Sequence, residues 1–371
     1  MTATDQSPAD HYCPSLPPLA KSRFPILYSH PFTLTKYPRA KEMHLPTLQT
    51  LLPTFLLLHP TLTLTTQSPL NPERAPKSGN PVIEGWYADP EARIFDSTYW
   101  LYPTYSAAYE TQTFFDAFSS PDLLTWTKHP TILNLTAIPW STNRAAWAPS
   151  VTRSPLTGDY FMYFSAGDGA GIGVAKSVSG LPQGPYEDVL GKPLVGETVF
   201  GAEPIDAQVF VDEGLSVWLY FGGWSHAVVV ELGSDMVSLK GEYLEITPKD
   251  YVEGPWVLKK GGVYYFMYSV GGWGDNSYGV SYVTGPSPTG PFSSTPTKIL
   301  QGDDIVGQST GHNSVFTPDG KDYYIVYHRR PVNDTERDHR VTCIDRMEFD
   351  EQGNILPVKI TSEGVEGRPL A

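Results

Sequence analysis

From residue 80 onward, short apolar runs alternate with polar turns at a near-constant interval. A small or acidic anchor is followed, after a similar short step each time, by an aromatic run. Asp89 leads to Tyr99–Tyr102, Pro149 to Tyr160–Tyr163, Asp206 to Trp218–Phe221, Glu253 to Tyr264–Tyr268 and His312 to Tyr323–Tyr327. Anchor to anchor, the steps are 60 (89 to 149), 57 (149 to 206), 47 (206 to 253) and 59 (253 to 312). Third apolar runs (Gly171–Ala175, Tyr278–Tyr282) and the closing Gly-Pro-Tyr186 and Gly-Pro-Phe292 make each unit a set of four short strands. Repetition at this period, with aromatic and β-branched strands, predicts a β-propeller blade per unit. The chain is therefore expected to be all-β, a five-bladed β-propeller with four-stranded blades over 80–371. The run Arg340–Phe349 is expected to complete the last blade or staple it to the first.

Residues 1–79 are patterned differently. They contain no Trp and are punctuated by Pro, whereas all nine Trp lie from Trp86 onward. Such a stretch is not expected to pack, so a non-globular N-terminal segment precedes the propeller. Within it, Met43 is followed by an apolar centre around Leu51–Leu58, broken by Pro53 and Pro60. That run is too short to span a bilayer but resembles the apolar region of a secretory signal peptide. The expectation is a start at Met43 and a secreted, extracellular protein. Cys13 would then be lost, leaving Cys343 as an unpaired, buried thiol.

Composition narrows the partners. Gly (33) and Pro (35) are abundant, and the formal charge is −14. An acidic chain lacks the basic face that nucleic acids and anionic membranes require, so neither is expected as a partner. No Walker loop is present, and the glycines of Gly169–Gly173 lack a following helix signal, so they read as a blade turn rather than a dinucleotide site.

In a propeller, the innermost strands line a central channel. The anchors Asp89, Pro149/Ser150, Asp206, Glu253 and His312 should therefore converge at one end of it. Three are carboxylates flanked by apolar or small residues, where burial needs a functional or paired reason. Three acids facing one pocket shift one another's pKa, leaving one ionised as base and another protonated as acid. Glycoside hydrolysis needs that pair. A structural cation, or satisfaction of backbone amides, is the alternative use of the same residues.

Taken in order, Tyr-Ala-Asp89-Pro, Trp147-Ala-Pro, Pro-Ile-Asp206-Ala, Glu253-Gly-Pro and Gly-His312-Asn-Ser resemble the successive signatures of glycoside hydrolase family 43, over about residues 80–360. The resemblance implies an inverting hydrolase of arabinose- and xylose-containing plant polysaccharides. Asp89 would be general base, Glu253 general acid and Asp206 the residue that raises and orients the acid. Ser150 departs from the pattern, since many members carry an acid there. No cofactor is implied as required. His312 resembles an axial histidine near a calcium or sodium ion; otherwise it is a core residue. Arg340 resembles an arginine that reaches the sugar; otherwise it is a surface residue beside Arg337 and His339. His328 faces either pocket or solvent.

Sugar faces stack on aromatic rings, which makes Trp147, Trp86, Phe115, Trp224 and Trp273 candidate substrate-binding residues. Expected substrates are arabinan, arabinoxylan or derived oligosaccharides, cleaved as by an exo-α-L-arabinofuranosidase or β-xylosidase. An endo-1,5-α-L-arabinanase or a non-catalytic glycan-binding propeller are the alternatives. The segments Ala107–Phe118, Leu135–Arg144 and Gly271–Tyr278 would wall off an exo pocket.

Overall fold

The computed structural model describes residues 75–167 and 169–370. The proposed start at Met43, the signal peptide and Cys13 lie outside the described residues. Hydrogen bonding of the folded body is already in place at Pro76, whose carbonyl accepts from the Gly367 amide, a few residues before the expected boundary at 80.

Five antiparallel sheets follow one another along the chain. The first holds β1 (Tyr87–Phe95), β2 (Thr98–Tyr105), β3 (Phe114–Ser120) and β4 (Thr127–Asn134). The second holds β5 (Ala146–Arg153), β6 (Tyr160–Ala166), β7 (Ile172–Ser177) and β8 (Tyr186–Asp188). The third holds β9 (Gln208–Val211), β10 (Val217–Phe221), β11 (Val228–Leu232) and β12 (Leu239–Glu245). The fourth holds β13 (Glu253–Lys260), β14 (Val263–Val270), β15 (Gly279–Gly285) and β16 (Thr297–Gln301). The fifth holds β17 (Gln308–Phe316), β18 (Tyr323–Arg330) and β19 (Val341–Met347). The Tyr-rich runs are the second strands, buried on both faces between neighbouring blades, which is why they lack polar alternation. Five apolar clusters fill the five junctions between successive blades, the last joining blade five to blade one. Cys343 is buried in one of them, without a disulfide.

Three regular strands make up the last sheet among the described residues. Its outer edge is occupied by the segment 77–82. The Val82 amide donates to the Thr342 carbonyl (3.0 Å), and Asn80 Oδ1 accepts from the Ile344 amide (2.9 Å). The same segment pairs with the C-terminal stretch, Ser78 to Val365 and Asn80 to Ser362. The two ends of the propeller thus close the circle on blade five.

One local feature recurs at every inner strand. Asp89 (φ 47°), Ala148 (φ 40°), Asp206 (φ 59°), Gly254 (φ 62°) and His312 (φ 47°) adopt the left-handed conformation. At β1, β5, β13 and β17 the strand register shifts at this point, as in a β-bulge, re-aiming the adjoining side chains. In four cases the residue's amide donates to a side chain on the second strand of the preceding blade. The pairs are Ala148 to Thr104 Oγ1 (2.8 Å), Asp206 to Ser165 Oγ (3.0 Å), His312 to Ser269 Oγ (3.0 Å) and Asp89 to His328 Nδ1 (3.1 Å). At the fifth, the Gly254 amide donates to Asp206 Oδ2 instead (3.1 Å). A left-handed non-glycine residue costs on the order of 1 kcal/mol or more, and these anchors hold four of them there.

Candidate active site

The left-handed residues and their neighbours converge on one cavity of about 510 Å³. Asp89, Asp206, Glu253, His312, Arg340, Trp147, Trp224 and Trp273 all line it, joined by Glu203, Ile205, Tyr109 and Gly169. Below it, a chamber of about 20 Å³ continues along the axis between Asp89, Glu91, Asp206, Gln208, His312 and Asn313.

Asp89 is a buried carboxylate with cationic and imidazole company. Arg340 Nη1 donates to its Oδ1 at 3.2 Å, and His328 Nδ1 and His312 Nδ1 lie 3.2 and 3.4 Å from the same oxygen. Burial alone would raise its pKa, but the Arg340 guanidinium and then the two imidazoles outweigh it, holding the carboxyl well below the usual range. Burial lowers the pKa of both imidazoles, that of His328 to about 4; Asp89 opposes the shift and Arg340 reinforces it. Arg340 is itself fixed, since its Nε donates to Ser106 Oγ (3.0 Å), whose hydroxyl donates to the Asp338 carbonyl (2.6 Å).

Asp206 and Glu253 behave oppositely. Burial first, then repulsion from Glu253 and Asp89, pushes Asp206 well above the ordinary carboxylate range. Burial also pushes Glu253 up to about 7; Tyr278, which donates to Glu253 Oε1 at 2.7 Å, draws it back, while Asp89 raises it further. Tyr278 reaches this position because Gly311 leaves room, a Cβ there meeting the Tyr278 ring at 2.0 Å. Glu253 is partly exposed to the cavity, whereas Asp206 is buried, so Glu253 presents the accessible proton. The cavity thus holds an ionised carboxylate and a proton-holding pair.

Most of the sequence-derived candidates meet here, and two do not. Phe115 is fully buried in the cluster between blades one and two, edge-on to Phe164, because it lies on the face of β3 that packs between blades. It cannot touch a sugar. Trp86 is absent from the cavity lining; its ring stacks on His339 at 4.1 Å, supporting the loop that carries Arg340. Trp147 does line the cavity, with Nε1 donating to Gln112 Oε1 (2.5 Å) and its ring edge-on to Tyr109. Of the three expected walls, Tyr109 and Trp273 contribute rings to the cavity. The segment Leu135–Arg144 instead packs Trp140 on Phe164 and sends Arg144 to Glu110.

Glu203 was not anticipated, although it stands three residues before Asp206 in the same apolar run. His328, left open between pocket and solvent, is fully buried against Asp89. Ser150, in place of the expected acid, donates to Glu91 Oε1 (2.9 Å) and accepts from the Val209 amide (3.1 Å), stitching blades one, two and three. The fourth carboxylate of the cavity is Glu203.

Comparison with known proteins now decides the family. The family model described as "Glycosyl hydrolases family 43" matches residues 78–355. The chain belongs to glycosyl hydrolase family 43. As a family 43 chain it is a glycoside hydrolase. It is 76% identical over 302 residues to "Beta-D-galactofuranosidase xynD" of Aspergillus niger, covering 80% of this chain and 89% of that one. It is 29% identical to "Arabinoxylan arabinofuranohydrolase" of Bacillus subtilis, over 67% of this chain and 55% of that one. Among solved structures, the family 43 fold aligns with a Bacillus subtilis arabinoxylan arabinofuranohydrolase crystallised with cellotetraose. The TM-score is 0.66 and the identity 26%, over 79% of this chain and 71% of the other.

Proposed function

We propose that this family 43 chain is an inverting, exo-acting furanosidase that releases terminal β-D-galactofuranosyl or α-L-arabinofuranosyl residues. The observation that carries the reading is the divided protonation of one cavity: Asp89 held ionised, the Asp206–Glu253 pair held up. Glu253 protonates the glycosidic oxygen as the bond to the anomeric carbon breaks. Asp89 takes a proton from a water attacking the opposite face, and the anomeric centre inverts. Burial and the charge of Asp89 keep the acid protonated, Asp206 holds its own proton beside it, and Arg340 keeps the base charged.

The choice of sugar is supported by the Aspergillus niger relative. The two furanosides share ring stereochemistry and differ only beyond C4, where galactofuranose carries one more hydroxylated carbon. The arabinofuranosyl reading and the arabinan and arabinoxylan substrates draw support from the arabinofuranohydrolase relatives; a β-xylosidase activity is the weaker fit. Exo action is supported by Arg337, whose guanidinium lies over both the Tyr109 ring (5.4 Å) and the Trp273 ring (4.5 Å). That cation ties two loops into a wall on one side of the cavity. An axial cation remains part of the proposal. The chamber under the site has about the volume of one ion or water, and Asn313 Oδ1 is buried with no partner there. A hard cation accepts such an amide oxygen; Asn313 and His312 would hold it, and its charge would relieve the crowding of carboxylates. Among the described residues no three His, Cys, Asp or Glu side chains form a metal cluster of their own.

The test is a panel of 4-nitrophenyl β-D-galactofuranoside, α-L-arabinofuranoside and β-D-xylopyranoside with linear arabinan, following product anomers by proton NMR. Furanoside cleavage with the inverted anomer appearing first is expected. Retention, or internal cuts in arabinan without terminal release, would overturn the reading. The kcat/KM profile should also be bell-shaped, falling as Glu253 loses its proton near pH 7. Asp206 is itself held protonated, so Asp206→Asn should leave the alkaline limb near its place. A limb that moves clearly to lower pH would show Asp206 ionised beside the acid.

A further inference from the structure

Glu203 and Trp224 stand together on the blade-three rim of the cavity, and neither gives or takes a proton in the displacement just described. Trp224 is 62% exposed, the most open of the aromatic residues lining the cavity, and its backbone is left-handed (φ 52°). A bulky residue in that conformation is an outlier, and an exposed indole is a poor surface for water to cover. Strain of this kind concentrates where a ligand is clamped.

The position of this rim relative to the acid is fixed by backbone bonds. The Ser225 amide, next to Trp224, donates to the carbonyl of Val252, the residue before Glu253 (3.1 Å). The Gly223 amide donates to the Glu203 carbonyl (3.0 Å), and the Ile205 amide to the same oxygen (2.9 Å). Gly223 also leaves room for the Glu203 carboxylate, whose Oε2 lies 3.2 Å from where a Cβ would stand. Glu203 acts on both Asp206 and Glu253, raising each. The base lies elsewhere: Asp89 is held by Arg340 and His328 from blade five, with Arg340 over Trp273 (4.9 Å).

In a single displacement, the leaving group departs on the side of the acid. We propose that the blade-three rim, with Trp224 as stacking platform and Glu203 as acceptor for sugar hydroxyls, is the subsite that binds the leaving sugar. The Trp224 ring offers a flat apolar face to the sugar's C–H surface, and the Glu203 carboxylate accepts from its hydroxyls. The rim thereby selects a neutral carbohydrate as leaving group and disfavours an anionic one, which Glu203 repels. The inference rests on the assignment of Glu253 as acid.

The experiment compares two substrates that share the cleaved sugar and differ only in what leaves. One is methyl β-D-galactofuranoside, the other a β-(1→5)-linked galactofuranose disaccharide; the α-L-arabinofuranose pair is run in parallel. The readout is the ratio of kcat/KM for the disaccharide to that for the methyl glycoside. Trp224→Ala and Glu203→Gln should each lower this ratio by about tenfold, the size of one stacking or charged hydrogen-bond contact. The loss should sit mainly in KM. Glu203→Gln preserves shape, so it serves if Glu203→Ala does not fold. An unchanged ratio in both folded variants overturns the subsite. If the wild type cleaves neither pair, or Glu253→Gln leaves both rates intact, the hydrolytic assignment falls and the subsite with it.

Discussion

Asp89→Asn and Glu253→Gln will each lower kcat/KM on a furanosyl disaccharide by at least ~100-fold, and the two variants will separate on an activated leaving group. A dinitrophenolate departs without a proton, so Glu253→Gln should recover much of its loss on a dinitrophenyl furanoside. Asp89→Asn should not, because water still needs a base whatever leaves. The separation follows from placement. Glu253 is pushed up to about 7 and opens onto the cavity, whereas Asp89 is held ionised by Arg340. Both substitutions are nearly isosteric, and melting curves at pH 6 verify that the fold persists. Near-normal rates in both variants, or equal losses on both substrates, would refute the roles.

The second large effect belongs to Arg340→Met. The Arg340 and Asp89 side chains are only 8% and 9% exposed, so the pair is effectively buried. Removing one partner of such a pair costs about 3–5 kcal/mol, less whatever water entering the cavity recovers. Asp89 would be left with His312 and His328 alone, its pKa would rise, and the acid limb of kcat/KM would move to higher pH. The stability consequence has a definite sign. A carboxyl whose folded pKa is depressed contributes stability above the unfolded value of about 4 and loses it as pH falls through the folded value. The Tm gap between wild type and Arg340→Met should therefore be present in full above pH ~4 and shrink only as pH falls below that towards the depressed folded value. A gap independent of pH, or an acid limb that does not move, would show that the guanidinium does not control Asp89.

The architecture was legible because its signal is repetitive: five aromatic runs at even steps announce five second strands. Within a repeat, finer placement was harder to read. The anchors chosen in blades two and four, Pro149 and Glu253, sit one residue away from the left-handed positions Ala148 and Gly254. Nothing in local composition distinguishes a residue at a bulge from its neighbour. Phe115 adjoins Phe114 on β3, and alternation sends the two to opposite faces; a sequence pair cannot say which face is wet. His328 is 239 positions from Asp89, and only the meeting of blade five with blade one brings them together. Glu203 could have been noticed as an acid in an apolar run, but its motif drew attention to Asp206 alone.

The amides of Asp89, Ala148, Asp206 and His312 are each gripped by the blade before. No sector of the molecule owns a complete catalytic group; each borrows its alignment from a neighbour around an endless circuit. Mild heat that parts a single seam should therefore silence hydrolysis while most of the β-sheet signal survives. Turnover in this enzyme gauges the integrity of the circuit, not the average foldedness of its members.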